Sequence, residues 1–366
     1  MALDRITLTR FRNHAETRLE GTARFNLLVG ENGAGKTNVL EAISLLAPGR
    51  GLRRAALAEV AKAGHCEGFA VHAVLDCGDG AEGVELATGT SGQRPGRRIV
   101  HVNGSAASAL ALGEWLGVGW LTPAMDRLFA DSAGGRRRFM DRLALTLDPA
   151  HAGHAARHEK ALGERNRLIS GETEPDPVWL DGVEAQLAEA GAALAAGRAQ
   201  LVATLGEALA VLPEQPFARP ALAYAPGGPL DCNALAVALK EGRARDRAAR
   251  RTLTGPHRDE LDVTMAGKGL LAAACSTGEQ KAMLIAIILA HAACAPASSS
   301  APGRPSVLLL DEVAAHLDPI RRAALFARLR EGTAQVWMTG TELAPFEEIA
   351  GEAAIWRVAD GAVERL

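Results

Sequence analysis

The chain has 366 residues, 48% hydrophobic and 23% charged, a composition that belongs to ordinary folded proteins and excludes a disordered or fibrous chain. That length suits one large or two intertwined domains. The net charge of −3 gives no general attraction for a polyanion, so any contact with nucleic acid must rest on local arginine patches.

Cys66, Cys77, Cys232, Cys275 and Cys294 are scattered without a C-x-x-C pair, which argues against a disulfide framework or a zinc site and fits a reducing cytoplasm. The opening MALDRITLTRFRN has charges but no apolar run, so no signal peptide is expected. The longest apolar stretch, Ala282 to Cys294, includes His291 and is shorter than the roughly 20 residues of a membrane span.

The first informative element is Arg24 to Val29, a short apolar run that reads as a buried strand. It leads directly into Gly30, Glu31, Asn32, Gly33, Ala34, Gly35, Lys36 and Thr37, which match G-x-x-x-x-G-K-[ST]. From Lys36 to Leu46, Val39, Leu40, Ile43 and Leu46 share one face of a predicted helix that Pro48-Gly49 stops. Strand, glycine-rich loop and helix in that order make a triphosphate cradle. Its glycines let backbone N–H groups approach phosphate oxygens, and the helix start presents its positive dipole end. Lys36 is expected to reach the β and γ phosphates of ATP, and Thr37 to offer a hydroxyl to Mg²⁺.

Residues 64 to 102 alternate in short pieces between glycine-rich turns, which predicts an antiparallel β-subdomain. From Asp141 to Arg251 the chain turns alanine-rich and helical, interrupted by the loop at 171–177. Leu180, Leu187, Leu194 and Leu201 recur every heptad beside Val183, Ala190, Gly197 and Thr204. This pattern predicts a long helix packed on the stretch from His154 to Ser170 as an antiparallel pair.

Ser276 to Lys281, STGEQK, opens another apolar helix, with Ser276 and Glu279 spaced as a capping box. Alone that marks only a helix start. After a flexible Pro296 to Pro305 segment, Val307 to Glu312 reads VLLLDE, a strand that delivers two carboxylates at its end. Paired with the phosphate loop, Asp311 is the expected Mg²⁺ ligand together with Thr37, and Glu312 the expected base for the attacking water.

Together GENGAGKTN, which ends at Asn38, STGEQK, VLLLDE and His316-Leu317-Asp318 resemble the ATP-binding-cassette ATPases of the SMC and DNA-repair branch. The resemblance implies that Ser276, Gly278 and Glu279 of one subunit contact the γ-phosphate held by another. The interval between Lys36 and Ser276 exceeds that of a transporter ATPase and falls short of a long-armed SMC protein.

Further motifs, Arg10-Phe11-Arg12-Asn13, Ala47-Pro48-Gly49-Arg50, Arg136 to Arg142 and Gly255 to Leu261, resemble the RecF family of bacterial recombinational-repair ATPases nearly end to end, least in 150–250. What the resemblance implies is a nucleotide site that includes Arg12, Asn13 and Asn38. It also implies ATP-dependent homodimerisation on duplex or gapped DNA, weak DNA-stimulated hydrolysis, and work with RecO and RecR to load RecA in repair, replication and the SOS response. Where the family usually has tyrosine after Phe-Arg-Asn, this chain has His14. No switch histidine follows the acidic pair, since QVWMTGTE offers Thr339 and Thr341, and slow hydrolysis is expected.

Three arginine groups are candidates for DNA phosphate: Arg50, Arg53 and Arg54; Arg136, Arg137 and Arg138; and Arg243, Arg245, Arg247, Arg250 and Arg251. Without an aromatic-interleaved platform, backbone contact with duplex DNA is favoured over stacking on single strands. His151, His154 and His158 fit one helix face, and a solvated or capping face is expected in preference to a metal site. His257 and Arg258 sit in a motif to which the resemblance assigns a nucleotide-dependent interface.

The expected fold is α/β, an ABC/SMC-like P-loop ATPase head with a mixed sheet and an antiparallel β-subdomain. The head comprises 1–140 and 251–366, and a helical lobe, 141–250, is inserted. The competing readings are an ATPase subunit of a membrane transporter and a scaffold with a dead nucleotide site. The intact Lys36, Thr37, Asp311 and Glu312 argue against the second.

Overall fold

Every residue of Phe25–Val29 is buried, as a strand covered on both faces requires. In the computed structural model, which describes residues 2–62, 64, 67–76, 83–298, 304–314 and 317–366, this strand (β3) sits centrally in a six-stranded sheet. Its neighbours are Gln335–Gly340 (β13) and Ala353–Ala359 (β14), both parallel to it. Beyond β13 come Ser306–Leu310 (β12) and Gly117–Leu121 (β8), again parallel. The antiparallel Ala362–Arg365 (β15) closes the other edge. Because β13 separates β3 from β12, the phosphate loop and the acidic pair emerge at the carboxyl ends of strands with one strand between them, the usual ligand position in such sheets.

A second six-stranded sheet is antiparallel throughout. It starts from Ala2–Phe11 (β1) and His14–Leu19 (β2) and includes Ala70–Asp76 (β4), Val84–Ser91 (β5), Arg94–Val102 (β6) and Ser105–Ala106 (β7). The antiparallel subdomain expected over 64–102 is therefore part of a larger sheet that begins at the N-terminus. Leu3, Ile6 and Leu8 from β1, Val71 and Leu75 from β4, Leu28 from β3 and Trp337 from β13 belong to one core. Val39, Leu40 and Ile43 of the helix Lys36–Ser44 (α1) join it, as does Leu112 of the short helix Leu112–Trp115 (α2). Each such burial is worth about 1.5–3 kcal/mol. Trp337 and Trp356 stack within this core with centroids 5.4 Å apart.

The chain divides into two compact units, one of 1–126 with 288–366 and the other of 127–287. The second holds Ala133–Leu147 (α3), Ala150–Ser170 (α4), Pro177–Ala210 (α5), Cys232–Glu241 (α6) and Arg243–Ala249 (α7). Leu180, Leu187, Leu194 and Leu201 are all buried on α5. Asp176 accepts from the Val178 amide ahead of Pro177 at the start of that helix, an N-cap that fixes where it begins.

The region also contains strands that composition did not reveal. Pro220–Ala225 (β9) pairs with Glu260–Met265 (β10), which pairs with Leu270–Leu271 (β11). PALAYA is too short and too rich in alanine to stand out from its helical surroundings. The helix Thr277–Ser298 (α8) begins in this unit and continues past Pro296, so part of the stretch expected as a loop is helical. Residues 299–303, His316, Cys66 and Cys77 lie outside the described residues.

Buried cations organise this unit. Arg165, fully buried, donates to Glu184 at 2.9 Å, Asp246 at 2.7 Å, Thr252 at 2.8 Å and the Leu239 carbonyl at 2.9 Å. Arg198 binds both carboxylate oxygens of Asp141, at 2.8 and 2.9 Å, and reaches Asp259 at 2.8 Å. A solvated histidine face is not what forms on α4: His151 and His158 are buried, and His151 Nε2 lies 3.0 Å from Asp141.

His158 stacks on His257 with centroids 6.1 Å apart, and among the described residues its buried Nε2 has no hydrogen-bond partner. Burial first, then the charges of His257 and Arg198, pull the His158 pKa down to about 4. The unfolded chain binds this proton near pH 6.5, so stability is intact above that value and falls as pH drops towards 4, by about 3 kcal/mol for this group. His158→Leu should therefore show a smaller loss of thermal stability between pH 7 and pH 5 than the unmodified chain; an equal loss in both would contradict the assignment.

Candidate nucleotide site

The phosphate loop is braced from beneath by the turn between β1 and β2. Gly35 has φ +116°, and a Cβ there would lie 2.7 to 2.8 Å from the side chains of Asn13 and His14, so only glycine lets the loop settle on that turn. Asn13 Nδ2 donates to the Ala34 carbonyl at 2.9 Å and accepts at Oδ1 from Asn38 at 2.7 Å. His14 is fully buried, its Nε2 3.1 Å from the Gly35 carbonyl and its Nδ1 2.9 Å from Thr17 Oγ1. Burial pushes its pKa below the ordinary histidine value. With no ring face exposed, His14 supports the loop and offers no surface for an adenine.

Arg12, with φ +54°, donates twice to Glu41, at 2.9 and 2.6 Å. Arg53 joins the same buried carboxylate at 2.9 Å and reaches Asn38 at 2.6 Å. Glu41 thus gathers Arg12 and Arg53 against the first helix. No signal in the sequence marks it, since Glu41 falls on the side of α1 away from Val39 and Ile43. Arg98 was equally hidden. Its guanidinium donates to the carbonyls of Leu45, Ala47 and Gly49, where α1 gives way to the Ala47 to Arg50 turn, and burial pushes its pKa down to about 10.

No side chain caps the start of α1, which leaves a helix N-terminus suited to an anion. Lys36, 4% exposed, turns its ammonium back on the loop, 2.6 Å from the Gly30 carbonyl and 2.8 Å from that of Glu31. Burial lowers its pKa, opposed by Glu312 and Asp311.

Thr37 Oγ1 donates to Asp311 at 2.9 Å, which joins the two predicted Mg²⁺ ligands. Hard oxygen donors of this kind fit Mg²⁺, with phosphate and water completing its octahedron. Thr339, at the end of the intervening β13, donates to Asp311 at 2.8 Å and accepts from the Glu312 amide at 2.9 Å. Glu312 itself takes φ +54°, a left-handed conformation that costs a non-glycine residue about 1–2 kcal/mol. Local strain of this sort clusters where side chains must be aimed. Glu31, Asn32 and Gly33 of the loop are exposed.

The second cluster lies in the other unit. Ser276 and Glu279 form the capping box: the Ser276 amide and hydroxyl each donate to Glu279 Oε2 at 2.9 Å, and the Glu279 amide points at Ser276 Oγ at 3.3 Å. Lys268, from the turn between β10 and β11, donates to Glu279 Oε1. A Cβ added to Gly278 would meet nothing within 4 Å, so packing within this chain does not demand glycine there.

The arginine groups divide. Arg136 binds Glu260 through both Nε and Nη2, at 2.6 and 2.8 Å, and Arg137 donates to the Asp259 carbonyl at 2.9 Å. Arg243 is held by Glu184 and Asp181, Arg245 reaches Thr254, and Arg247 the Glu172 carbonyl. Arg50, Arg138, Arg250, Arg251 and Arg258 are exposed, and Arg54 makes a contact of its own. The motif around His257 is fixed rather than open: Asp259 accepts from Arg198, from Tyr224 and from the Gly227 amide, and His257 Nε2 lies 2.9 Å from the Thr252 carbonyl.

A glycine-rich loop between a buried parallel strand and a helix, with a threonine and an aspartate joined beside it, defines a P-loop ATPase head. The family model for the RecF/RecN/SMC N terminal domain matches residues 2–361. The chain is 48% identical to the DNA replication and repair protein RecF of Mesorhizobium japonicum, over 99% of this chain and 97% of that one. Identity is also 48% to the RecF of Brucella suis, over 99% and 95%. The chain therefore belongs to the RecF family. In fold it is similar to a solved RecF bound to ATP, described as a recombination mediator protein in the RecFOR pathway, with TM-score 0.85 at 23% identity over 100% and 97% of the two chains. An SMC head bound to the C-winged helix domain of ScpA matches at TM-score 0.54 and 16% identity, over 100% and 97%.

Proposed function

We propose that the chain is an ATP-driven DNA clamp of recombinational repair. Two copies close on ATP and duplex or gapped DNA, slow DNA-stimulated hydrolysis reopens them, and RecO and RecR act with the clamp in the cytoplasm to load RecA. The functional division is a head of 1–140 and 251–366 and a helical lobe of 141–250.

The observation that carries the reading is the hydrogen-bonded chain from Thr37 through Asp311 and Thr339 to the Glu312 amide. A scaffold with a dead site has no use for it. In the proposed mechanism Lys36 grips the β and γ phosphates and Thr37 and Asp311 would hold Mg²⁺, which when bound neutralises charge on the transferred group. Glu312 takes a proton from the attacking water. Arg12, Asn13 and Asn38 keep the loop in place, and Ser276, Gly278 and the backbone of Glu279 from the second copy close over the γ-phosphate. Arg50, Arg138, Arg250 and Arg251, all exposed, are the candidate arginines offered to DNA phosphate. Thr339 and Thr341 stand where a switch histidine is expected, which favours slow turnover. The transporter reading is disfavoured by the long interval between Lys36 and Ser276, which carries α3 to α7.

Binding of gapped duplex with and without ATP tests the proposal. ATP should strengthen binding tenfold or more; equal binding in both conditions would overturn the clamp. Gly278→Ala is a sharper probe. Alanine is favoured over glycine in a helix by about 0.5–1 kcal/mol, so the variant should melt no lower than the unmodified chain. Its ATP-induced dimer should nevertheless weaken about tenfold, because the added methyl stands where the second copy must approach. An unchanged dimer would remove Gly278 from the interface.

A further inference from the structure

The donors that a second copy's γ-phosphate would need are already occupied. Ser276 gives its amide and its hydroxyl proton to one oxygen of Glu279, each at 2.9 Å. A phosphate arriving at this helix end must take the hydroxyl proton away, and it must do so beside a carboxylate of its own sign. Like charges at such a distance oppose each other strongly once water is excluded. The other oxygen of Glu279, Oε1, is held by the Lys268 ammonium.

Lys268 is well placed for this task. It lies on the tight turn joining β10 to β11, where its own amide donates to the Met265 carbonyl at 3.1 Å and the Gly269 amide to the same carbonyl at 2.8 Å. Gly269 turns the chain with φ +64°. The backbone is thereby fixed while the side chain, about half exposed, extends to Glu279. Leu270 and Leu271, which follow it, are themselves exposed.

We propose that Lys268 is a positioning residue of the two-copy ATP site: it neutralises Glu279 and draws its carboxylate aside, so that Ser276 and the start of α8 can pass from an internal cap to a γ-phosphate on the other copy. This rests on the clamp reading above. In the open chain Glu279 occupies the anion position of its own helix while Lys268 holds its other oxygen, and in the closed dimer it releases Ser276 and stays with Lys268. Without the lysine, a bare carboxylate remains at the γ-phosphate and resists closure.

The test is the dissociation constant of the ATP-bound dimer, measured by sedimentation in a hydrolysis-deficient Glu312→Gln background. Lys268→Gln should weaken the dimer about tenfold, more at low salt than at high salt, since the defect is electrostatic. Lys268→Arg should restore most of the loss. Adding Glu279→Gln to Lys268→Gln should also restore it, because glutamine still accepts from Ser276 but carries no charge. Lys268 is a surface residue, and thermal melting of each variant should match the background. A Lys268→Gln dimer of undiminished affinity, or a double variant no tighter than the single one, would overturn the inference. If Ser276→Ala abolishes the dimer while Lys268→Gln leaves it intact, only the role of Lys268 fails; if Ser276→Ala also dimerises normally, the clamp reading fails with it.

Discussion

Lys36→Ala should lower the affinity for ATP by about 100-fold or more and abolish ATP-stimulated DNA binding. The Lys36 ammonium is buried and 2.6 and 2.8 Å from two carbonyls of its own loop, so it is already where a triphosphate must lie. Exchanging those carbonyls for two phosphate oxygens replaces neutral acceptors by charged ones. Two hydrogen bonds to charged groups, each worth about 1.5–3 kcal/mol, account for a loss of roughly 100- to 20,000-fold. Arginine is not a substitute, because its planar fork does not fit a space built for a compact ammonium. A nucleotide titration that placed Lys36→Ala within threefold of the unmodified chain would show that Lys36 does not hold phosphate.

Glu312→Gln should act in the opposite sense on DNA. The amide keeps the shape of the side chain and the strained backbone at φ +54°, and it leaves the Thr339 bonds to Asp311 and to the Glu312 amide in place. What disappears is the proton acceptor for water. Loss of a general base costs about 100- to 10,000-fold in hydrolysis, while nucleotide grip through Lys36 and Thr37 is untouched. ATP then persists in the site and the closed dimer should accumulate on gapped DNA, with a dissociation half-life lengthened in proportion. Single-turnover hydrolysis and competitor-chase release from DNA check the two halves separately. Normal turnover would mean that another group activates the water.

The local motifs were legible because each is contiguous. Gly30 to Thr37, Ser276 to Glu279 and Val307 to Glu312 announce a loop before a helix, a capping box and a strand end by residue type and order, and the heptad of leucines on α5 announces its buried face. What spacing could not reveal is pairing between distant segments. Thr339 becomes part of the site only because β13 is placed between β3 and β12. Glu41 pairs with Arg12 only because the turn between β1 and β2 is brought against α1. Arg136, Arg137 and Arg138 are equivalent on paper, yet Glu260 and the Asp259 carbonyl engage the first two while Arg138 is exposed. The histidines of α4 misled in the same way, since His151 is withdrawn from solvent by a carboxylate that lies on α3. Short strands such as β9 escape detection because their pairing partner, not their own pattern, holds them in place.

Sedimentation velocity over a range of protein concentrations, with and without ATP, tests most directly whether one triphosphate is gripped by two copies. The Glu312→Gln chain should sediment as a protomer without nucleotide and as a dimer with ATP, and adding Ser276→Ala should return it to the protomer. A unmodified chain that stays a protomer at every concentration, hydrolyses ATP at a constant specific rate and is indifferent to Ser276→Ala would contradict the account.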